Sequence, residues 1–209
     1  SDEYSYFDQY PTYGYYNYLR PGFVQKIKRQ RFELALRLAK PWFHRANAID
    51  FGCSDGVLLP SLSHYFDSAL GIEADIETVK VARDVCALLQ IQNVRIIHNG
   101  GQQPAASKAD LDGKDYSVAF LLETLEHVGQ QPFVYDTKIE FLESMFELLT
   151  DDGVIIFSVP KMVGIAFLVK YLIQSTLGMK YERYTPGQLL RSSLLKNTDD
   201  IEVLWDGGH

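Results

Sequence analysis

The residues of this sequence that can do chemistry gather where apolar runs end. Asp50 lies in the first such run, Ala48-Ile49-Asp50-Phe51, which breaks into Gly52-Cys53-Ser54-Asp55-Gly56. Val57, Leu58, Leu59, Leu62 and Phe66 follow at helical spacing, so the segment reads as a buried strand, a glycine-bearing turn and a helix. Gly52 and Gly56 permit positive φ and close backbone approach, and the open N–H groups of the helix start face whatever sits at the strand's carboxyl end. A dinucleotide turn would need glycine at 54 and 57, where Ser54 and Val57 stand, so a nicotinamide cofactor is disfavoured. Asp50 would repel a pyrophosphate; a carboxylate there suits a cationic ligand with an ammonium group.

Two further strand ends carry acids. Ala69-Leu70-Gly71-Ile72-Glu73 reads as a strand, and Asp75 as the N-cap of a helix whose apolar stripe is Ile76, Val79, Ala82, Cys86 and Leu89. An acid about twenty residues past the glycine turn is placed to accept both hydroxyls of a ribose, which makes Glu73 the sharpest assignment. Tyr116–Leu122 is continuously apolar, as in a strand buried on both faces, and ends in Glu123-Thr124-Leu125-Glu126-His127-Val128. Glu123 then sits at the carboxyl edge beside the crevice, while Glu126 and His127 begin a helix toward the substrate space. His127 has the chemistry of a general base for a hydroxyl; hydrogen bonding that fixes this short segment is the competing role.

The elements that position these groups fit a chain of 209 residues, 46% of them hydrophobic, enough to bury a core in a single α/β-sized domain. Seven of the 13 tyrosines fall before residue 19 with Pro11 and Gly14, which predicts a loop or broken helix, either a lid over a ligand or an arm packed on the domain. From Phe23 to Ala39, Val24, Ile27, Leu34, Ala35 and Leu38 predict an amphipathic helix. Its basic residues Lys26, Lys28, Arg29, Arg31 and Arg37 suit a solvated face better than an anion-binding one. Val94–His98 is a third strand with His98 at its edge, and 104–114 a polar loop. A helix over 137–149, a turn at Thr150–Gly153 and a strand over 154–160 follow. Val163–Gly178 is too short to span a bilayer and suits a buried or substrate-lining helix better than one at a membrane interface. Tyr181, Arg183 and Tyr184, candidates for the substrate side, precede a helix start at Thr185-Pro186. Ile201–Trp205 reads as a sixth strand.

The net charge of −7 argues against a general nucleic-acid binder, which needs a basic face. Two cysteines, Cys53 and Cys86, make no disulfide framework. With no signal segment and no apolar run of spanning length, a cytoplasmic location is expected. Oligomeric state is not legible.

Asp50-x-Gly52-x-Ser54-x-Gly56 resembles the first motif of the class I S-adenosylmethionine-dependent methyltransferases, an acid followed by G-x-G-x-G, with serine at the middle glycine. The string LETLEHV, residues 122–128, resembles the post-strand motif of small-molecule methyltransferases, including those acting on ubiquinone precursors. The strand-end acid Glu73 and the helix, Asp-Gly turn and Val-Pro-ended strand that close near residue 160 match in order. The resemblance implies a Rossmann-like, doubly wound, mostly parallel sheet with helices on both faces. Residues 1–45 would be an arm and cap helix, and 46–209 the cofactor-binding domain, with a substrate-side insertion at about 161–185. The family's last antiparallel strand is not found.

S-adenosylmethionine is the implied cofactor. Asp50, Phe51, Gly52, Ser54, Gly56, Glu73, Ala74, Asn99, Gly100 and Glu123 are its implied binding residues. The family's Gly-Asp pair after the third strand has Gly101 in the acid's place, so the adenine contact falls to Asn99, Gln102 or the backbone. Some relatives bind a divalent metal through E-x-x-E-H, which Glu123, Glu126 and His127 match. Further ligands are not evident, so no metal is expected. The implied activity is methyl transfer to a small-molecule acceptor, at oxygen or nitrogen, of a lipid-like or quinone-like kind. The alternative is an adenosyl-binding module without catalysis.

Overall fold

The structure of the protein, a computed structural model, describes residues 13–100, 106–129, 134–159, 164–176 and 185–194. The chain divides into two compact units, residues 1–159 and 160–209. In the first, the strands are β1 (Asn47–Phe51), β2 (Ser68–Glu73), β3 (Val94–His98), β4 (Tyr116–Leu122) and β5 (Leu149–Ser158). They form one sheet in the order β3-β2-β1-β4-β5, every pair parallel. Helices α1 (Phe23–Ala39), α2 (Leu59–Tyr65), α3 (Ile76–Leu88) and α4 (Val134–Phe146) complete it.

Successive strand residues point to opposite faces, and each face meets its own helices. On one side Ala48, Val118 and Phe120 pack with Ala35 and Ala39 of α1, Leu59 and Leu62 of α2, and Val79, Ala82 and Cys86 of α3. On the other Ile49, Phe51, Leu70, Ile72, Ala119 and Leu121 meet Phe141 and Met145 of α4. The expected doubly wound α/β sheet is therefore present. The order reverses at β1, whose neighbours β2 and β4 lie on either side; this switch point is where open α/β sheets have their crevice, at the strands' carboxyl ends.

Several boundaries differ from the sequence reading. Residues 104–114 are not all loop: a 3₁₀ turn, Lys108–Leu111, is closed by a Ser107–Asp110 capping box and buries Leu111 against the core. Helix α4 ends three residues earlier than expected, because Leu149 pairs with Tyr116 as the start of β5. The turn expected at 150–153 is a bulge inside β5, since the register jumps from Tyr116↔Leu149 to Val118↔Val154. Gly153 makes that possible: a Cβ there would lie 2.7 Å from the Leu149 Cβ and 2.8 Å from the Thr150 carbonyl oxygen.

Helix α1 is the largest correction, because of the expected stripe only Ala35 is buried. Its inward face is made of Ala35 and Ala39 with Phe32 and Leu36 beside them, while Val24, Ile27, Leu34 and Leu38 are exposed. The basic residues are divided as well. Lys28 donates to Asn17 Oδ1 (2.5 Å), Arg29 to the Tyr18 carbonyl (2.6 Å), and Arg31 pairs with Glu123. Small residues let the helix approach the sheet closely, and these inward-turned cations fix its rotation. The described end of the tyrosine-rich stretch packs on the domain, with Tyr18 buried edge-on against Phe32 at 4.8 Å. The rest of it lies outside the described residues, as do Gln102, Tyr181, Arg183, Tyr184 and the strand expected at 201–205.

The second unit holds α5 (Ile165–Thr176) and α6 (Pro186–Ser193). Thr185 caps α6 reciprocally with Gln188, and Pro186 occupies the first turn, as expected. The Gly164 N–H donates to the Ser192 carbonyl at 2.7 Å and ties the two helices together. Among the described residues no helix is long and apolar enough to cross a membrane.

The rotation of α1 has a direct test. Leu34→Ser should change the free energy of unfolding by no more than about 0.5 kcal/mol, as surface substitutions do. Ala35→Asp, one position on, should cost about 3 kcal/mol or more by burying an unpaired charge. Urea denaturation of both variants distinguishes the observed face from the expected one.

Candidate active site

The turn after β1 takes three left-handed residues in close succession: Gly52 (φ 71°), Ser54 (φ 50°) and Gly56 (φ 85°). The Gly52 and Cys53 N–H groups both donate to the Ile72 carbonyl of β2, at 2.8 and 3.1 Å. Gly52 is also required sterically, since a Cβ would lie 2.5 Å from Thr124 Oγ1. That hydroxyl donates to the Phe51 carbonyl at 3.0 Å and straps the segment after β4 to the end of β1. Ser54 adopts the conformation that the family's glycine takes without cost; for a side-chain-bearing residue the penalty is roughly 1–2 kcal/mol.

What Ser54 gains from this conformation is a contact. Its N–H donates to Glu73 Oε2 at 2.8 Å, while Glu73 Oε1 accepts from the Ala74 and Asp75 N–H groups at 2.7 and 3.0 Å. The Asn99 N–H donates to the Glu73 carbonyl at 3.0 Å, and His98 Nε2 lies 2.8 Å from the Ala74 carbonyl. Gly100 follows at φ 60°. Ser54, Glu73, Ala74, Asn99 and Gly100 thus stand at one corner of the crevice.

Asp50 and Phe51 are placed differently. The Phe51 ring is in the core, edge-on to Phe141 at 5.9 Å, so only its backbone reaches the turn. The Asp50 carboxyl is buried, and its pKa is pushed up to about 8, first by burial and then by the charge of Glu73. A carboxyl with that pKa is mostly neutral at pH 7, so Asp50 does not carry the full negative charge expected of it. Burial also pushes the neighbouring Cys53 thiol well up, away from nucleophilic chemistry.

Glu123 terminates β4 in a left-handed conformation (φ 55°), with its N–H donating to the Ser158 carbonyl of β5 at 3.0 Å. Its carboxylate meets Arg31 of α1, whose guanidinium also lies 5.3 Å above the Tyr18 ring. The expected helix at 126–127 is a single 3₁₀ turn, Leu125–His127, in which His127 is exposed. Lys138 of α4 donates from Nζ to the Leu125 carbonyl and feels the charge of Glu126. Among the described residues no group of three or more His, Cys, Asp or Glu is poised to hold a metal ion.

Three buried oxygens at this edge have no hydrogen-bond partner: Asp55 Oδ1 in the glycine turn, Glu126 Oε2 and Ser158 Oγ. The other Asp55 oxygen accepts from the Gly14 N–H at 2.6 Å, which brings the residues before α1 onto the turn. Sequence reasoning did not single out Asp55, Thr124 or Lys138 by role, although the first two lie inside the motifs. For Arg31 as a partner of Glu123 there was no signal, because nothing in a helical repeat identifies a contact with a distant strand end.

Two outcomes are expected. Ser54→Gly should raise stability by about 1 kcal/mol in chemical denaturation, because relief of the left-handed strain outweighs the added chain entropy while the N–H to Glu73 is retained. Asp50 binds its proton more readily folded (about 8) than at its ordinary value of 3.8. Its contribution to stability is therefore greatest below about pH 4 and is lost as pH rises through 8. Asp50→Asn should remove this slope, at most about 1.4 kcal/mol per pH unit, so the variant gains on the parent in unfolding measurements taken from pH 5 to 8.

A family model described as a methyltransferase domain matches residues 23–193. No curated protein matches the sequence. Among solved structures, the YcgJ protein of Bacillus subtilis is 15% identical with a TM-score of 0.54, over 70% of this chain and 58% of that one. Coclaurine N-methyltransferase, solved with N-methylheliamine and SAH, is 11% identical with a TM-score of 0.50, over 66% of this chain and 37% of that one. The chain thus spans less than two thirds of either relative, and at these identities the likeness is one of fold. The family match runs from α1 to α6 and takes in both the glycine turn and the segment after β4, so the chain belongs to the methyltransferase-domain family, with the class I fold.

Proposed function

We propose that the chain binds S-adenosylmethionine across the carboxyl ends of β1, β2 and β4 and transfers its methyl group to a small-molecule acceptor. The observation that carries this reading is the position of Glu73, an acid at the end of β2 hydrogen-bonded to the Ser54 N–H of the glycine turn. A carboxylate so placed can take the two hydroxyls of a ribose whose remaining substituents lie along the turn.

The residues present fit the cofactor. The turn runs without side chains at Gly52 and Gly56, and Asp55 within it keeps one buried carboxylate oxygen without a hydrogen-bond partner. Unpartnered acceptors are costly in a ligand-free fold, and a cationic, donor-bearing ligand relieves that cost. Ser54, Glu73 and Ala74 would hold the ribose side, Asn99 and Gly100 the base, and Glu123 would face the amino-acid portion. Bound there, the cofactor supplies an electrophilic methyl group on a sulfonium. The protein's own part is mainly positional: it orients the acceptor and keeps water out beneath α1 and the residues before it. His127, exposed just past β4, would accept the proton of a hydroxyl or ammonium acceptor.

Isothermal titration with S-adenosylhomocysteine, S-adenosylmethionine and NAD tests the reading. Adenosyl-ligand binding weakened at least tenfold by Glu73→Ala, with no NAD binding, is the expected result. Because Glu73 also holds the turn, thermal unfolding of the variant should accompany the titration. No adenosyl binding to the parent protein, or a preference for NAD, would overturn the assignment.

A further inference from the structure

The exposed stripe of α1 is a second apolar face that the described residues leave uncovered. Val24, Ile27, Leu34 and Leu38 are each about half exposed, between 49% and 57%, and Phe23 at the helix start is 78% exposed. At 3.6 residues per turn these four fall within one arc of roughly 80°, along about 21 Å of helix, interrupted by Arg31, whose side chain is drawn off to Glu123. Phe23 adjoins that arc, and exposed Lys26 and Arg37 flank it beyond Phe23.

The charge of this helix is opposite to that of the chain. Phe23–Ala39 carries five basic residues against the single acid Glu33, in a protein of net charge −7. Lys28, Arg29 and Arg31 are turned inward onto Asn17, Tyr18 and Glu123. Lys26 and Arg37 are left on the outside, where Arg20 and Lys40 at the two helix ends are exposed too. An exposed apolar stripe bordered by cations is the pattern of a helix lying in the plane of an anionic bilayer, its apolar side in the headgroup–acyl boundary and its cations at the phosphates. A second copy of the chain fits less well, since pairing the stripe with itself would bring two basic helices together.

We propose that the outer face of α1 is a docking surface for anionic lipid, with Phe23, Val24, Ile27, Leu34 and Leu38 entering the interface and Lys26 and Arg37 meeting the lipid phosphates. Arg31 ties this helix to Glu123 at the end of β4, so docking would present the crevice edge to the lipid surface. The surface itself is independent of whether methyl transfer occurs.

Co-sedimentation of the full chain with vesicles of equal phosphatidylglycerol and phosphatidylcholine, and with vesicles of phosphatidylcholine alone, tests it. The expected result is binding to the anionic vesicles, at least tenfold weaker to the neutral ones and weakened by raising salt from 0.1 to 0.5 M. Leu34→Glu with Leu38→Glu should abolish it, and Lys26→Ala with Arg37→Ala should weaken it about 30-fold. All four side chains are exposed, and circular dichroism should show the variants folded. Three outcomes would overturn the proposal: no binding of the parent protein to anionic vesicles, undiminished binding by either double variant, or a parent dimer in sedimentation equilibrium that the leucine variant dissociates.

Discussion

The geometry of the crevice depends on one carboxylate. Glu73 accepts from three backbone N–H groups, those of Ser54, Ala74 and Asp75. Two belong to the start of the segment leading into α3, and one to the turn after β1, so a single side chain holds two loops at a fixed separation. The left-handed Ser54 is what aims its N–H at Glu73, and the two N–H bonds to the Ile72 carbonyl hold the first half of the turn to the same strand. The cost of one strained residue is offset by a charge-assisted bond in a partly buried setting. Close packing beneath the turn has the same logic. A Cβ at Gly71 would come within 2.9 Å of Cys53 Sγ, so β2 carries glycine where the turn descends onto it.

A second carboxylate extends this order to the helix that precedes the sheet. Glu123 is strained at the end of β4, bound through its backbone to β5 and through its side chain to Arg31 of α1. Arg31 in turn covers Tyr18, whose hydroxyl pKa is pushed up to about 12 by burial despite the nearby cation. Gly14 closes the arrangement by donating to Asp55. The residues before α1, the helix itself and the two turns at the sheet's carboxyl edge are therefore mechanically connected. A ligand that competes for Glu123 or Asp55 acts on α1 as well as on the crevice. These polar contacts act beside the hydrophobic seam through which Ala35 and Ala39 of α1 meet the sheet.

Polarity around the crevice is uneven in a way that divides labour among its acids. Asp50, behind the turn, is buried and shifted toward its neutral form, Glu73 is partly exposed and held by three backbone donors, and Glu123 is ion-paired. Among the described acids, Asp55 and Glu126 retain buried oxygens without donors. Acids that look alike in the sequence thus differ in charge and availability because each meets a different dielectric and a different set of donors.

The sequence by itself determined the sheet and the location of the crevice. Apolar runs bounded by turn residues gave β1 to β4 nearly to the residue, and Asp75 and Thr185 marked the starts of α3 and α6, because strand burial and helix capping are local signals. The glycine turn, the strand-end acid Glu73 and the family likeness were legible for the same reason: each is a short stretch with its own backbone demands. Tertiary structure alone decided which stripe of α1 is buried, where the Asp-Gly segment folds into β5, and which acids are charged. Helical spacing offers two apolar faces on α1, and only the partners of Ala35, Arg31 and Tyr18 choose between them. Likewise the protonation of Asp50 depends first on its burial and then on Glu73 of the neighbouring strand β2, and a contact between segments far apart in sequence leaves no mark on the local pattern of either.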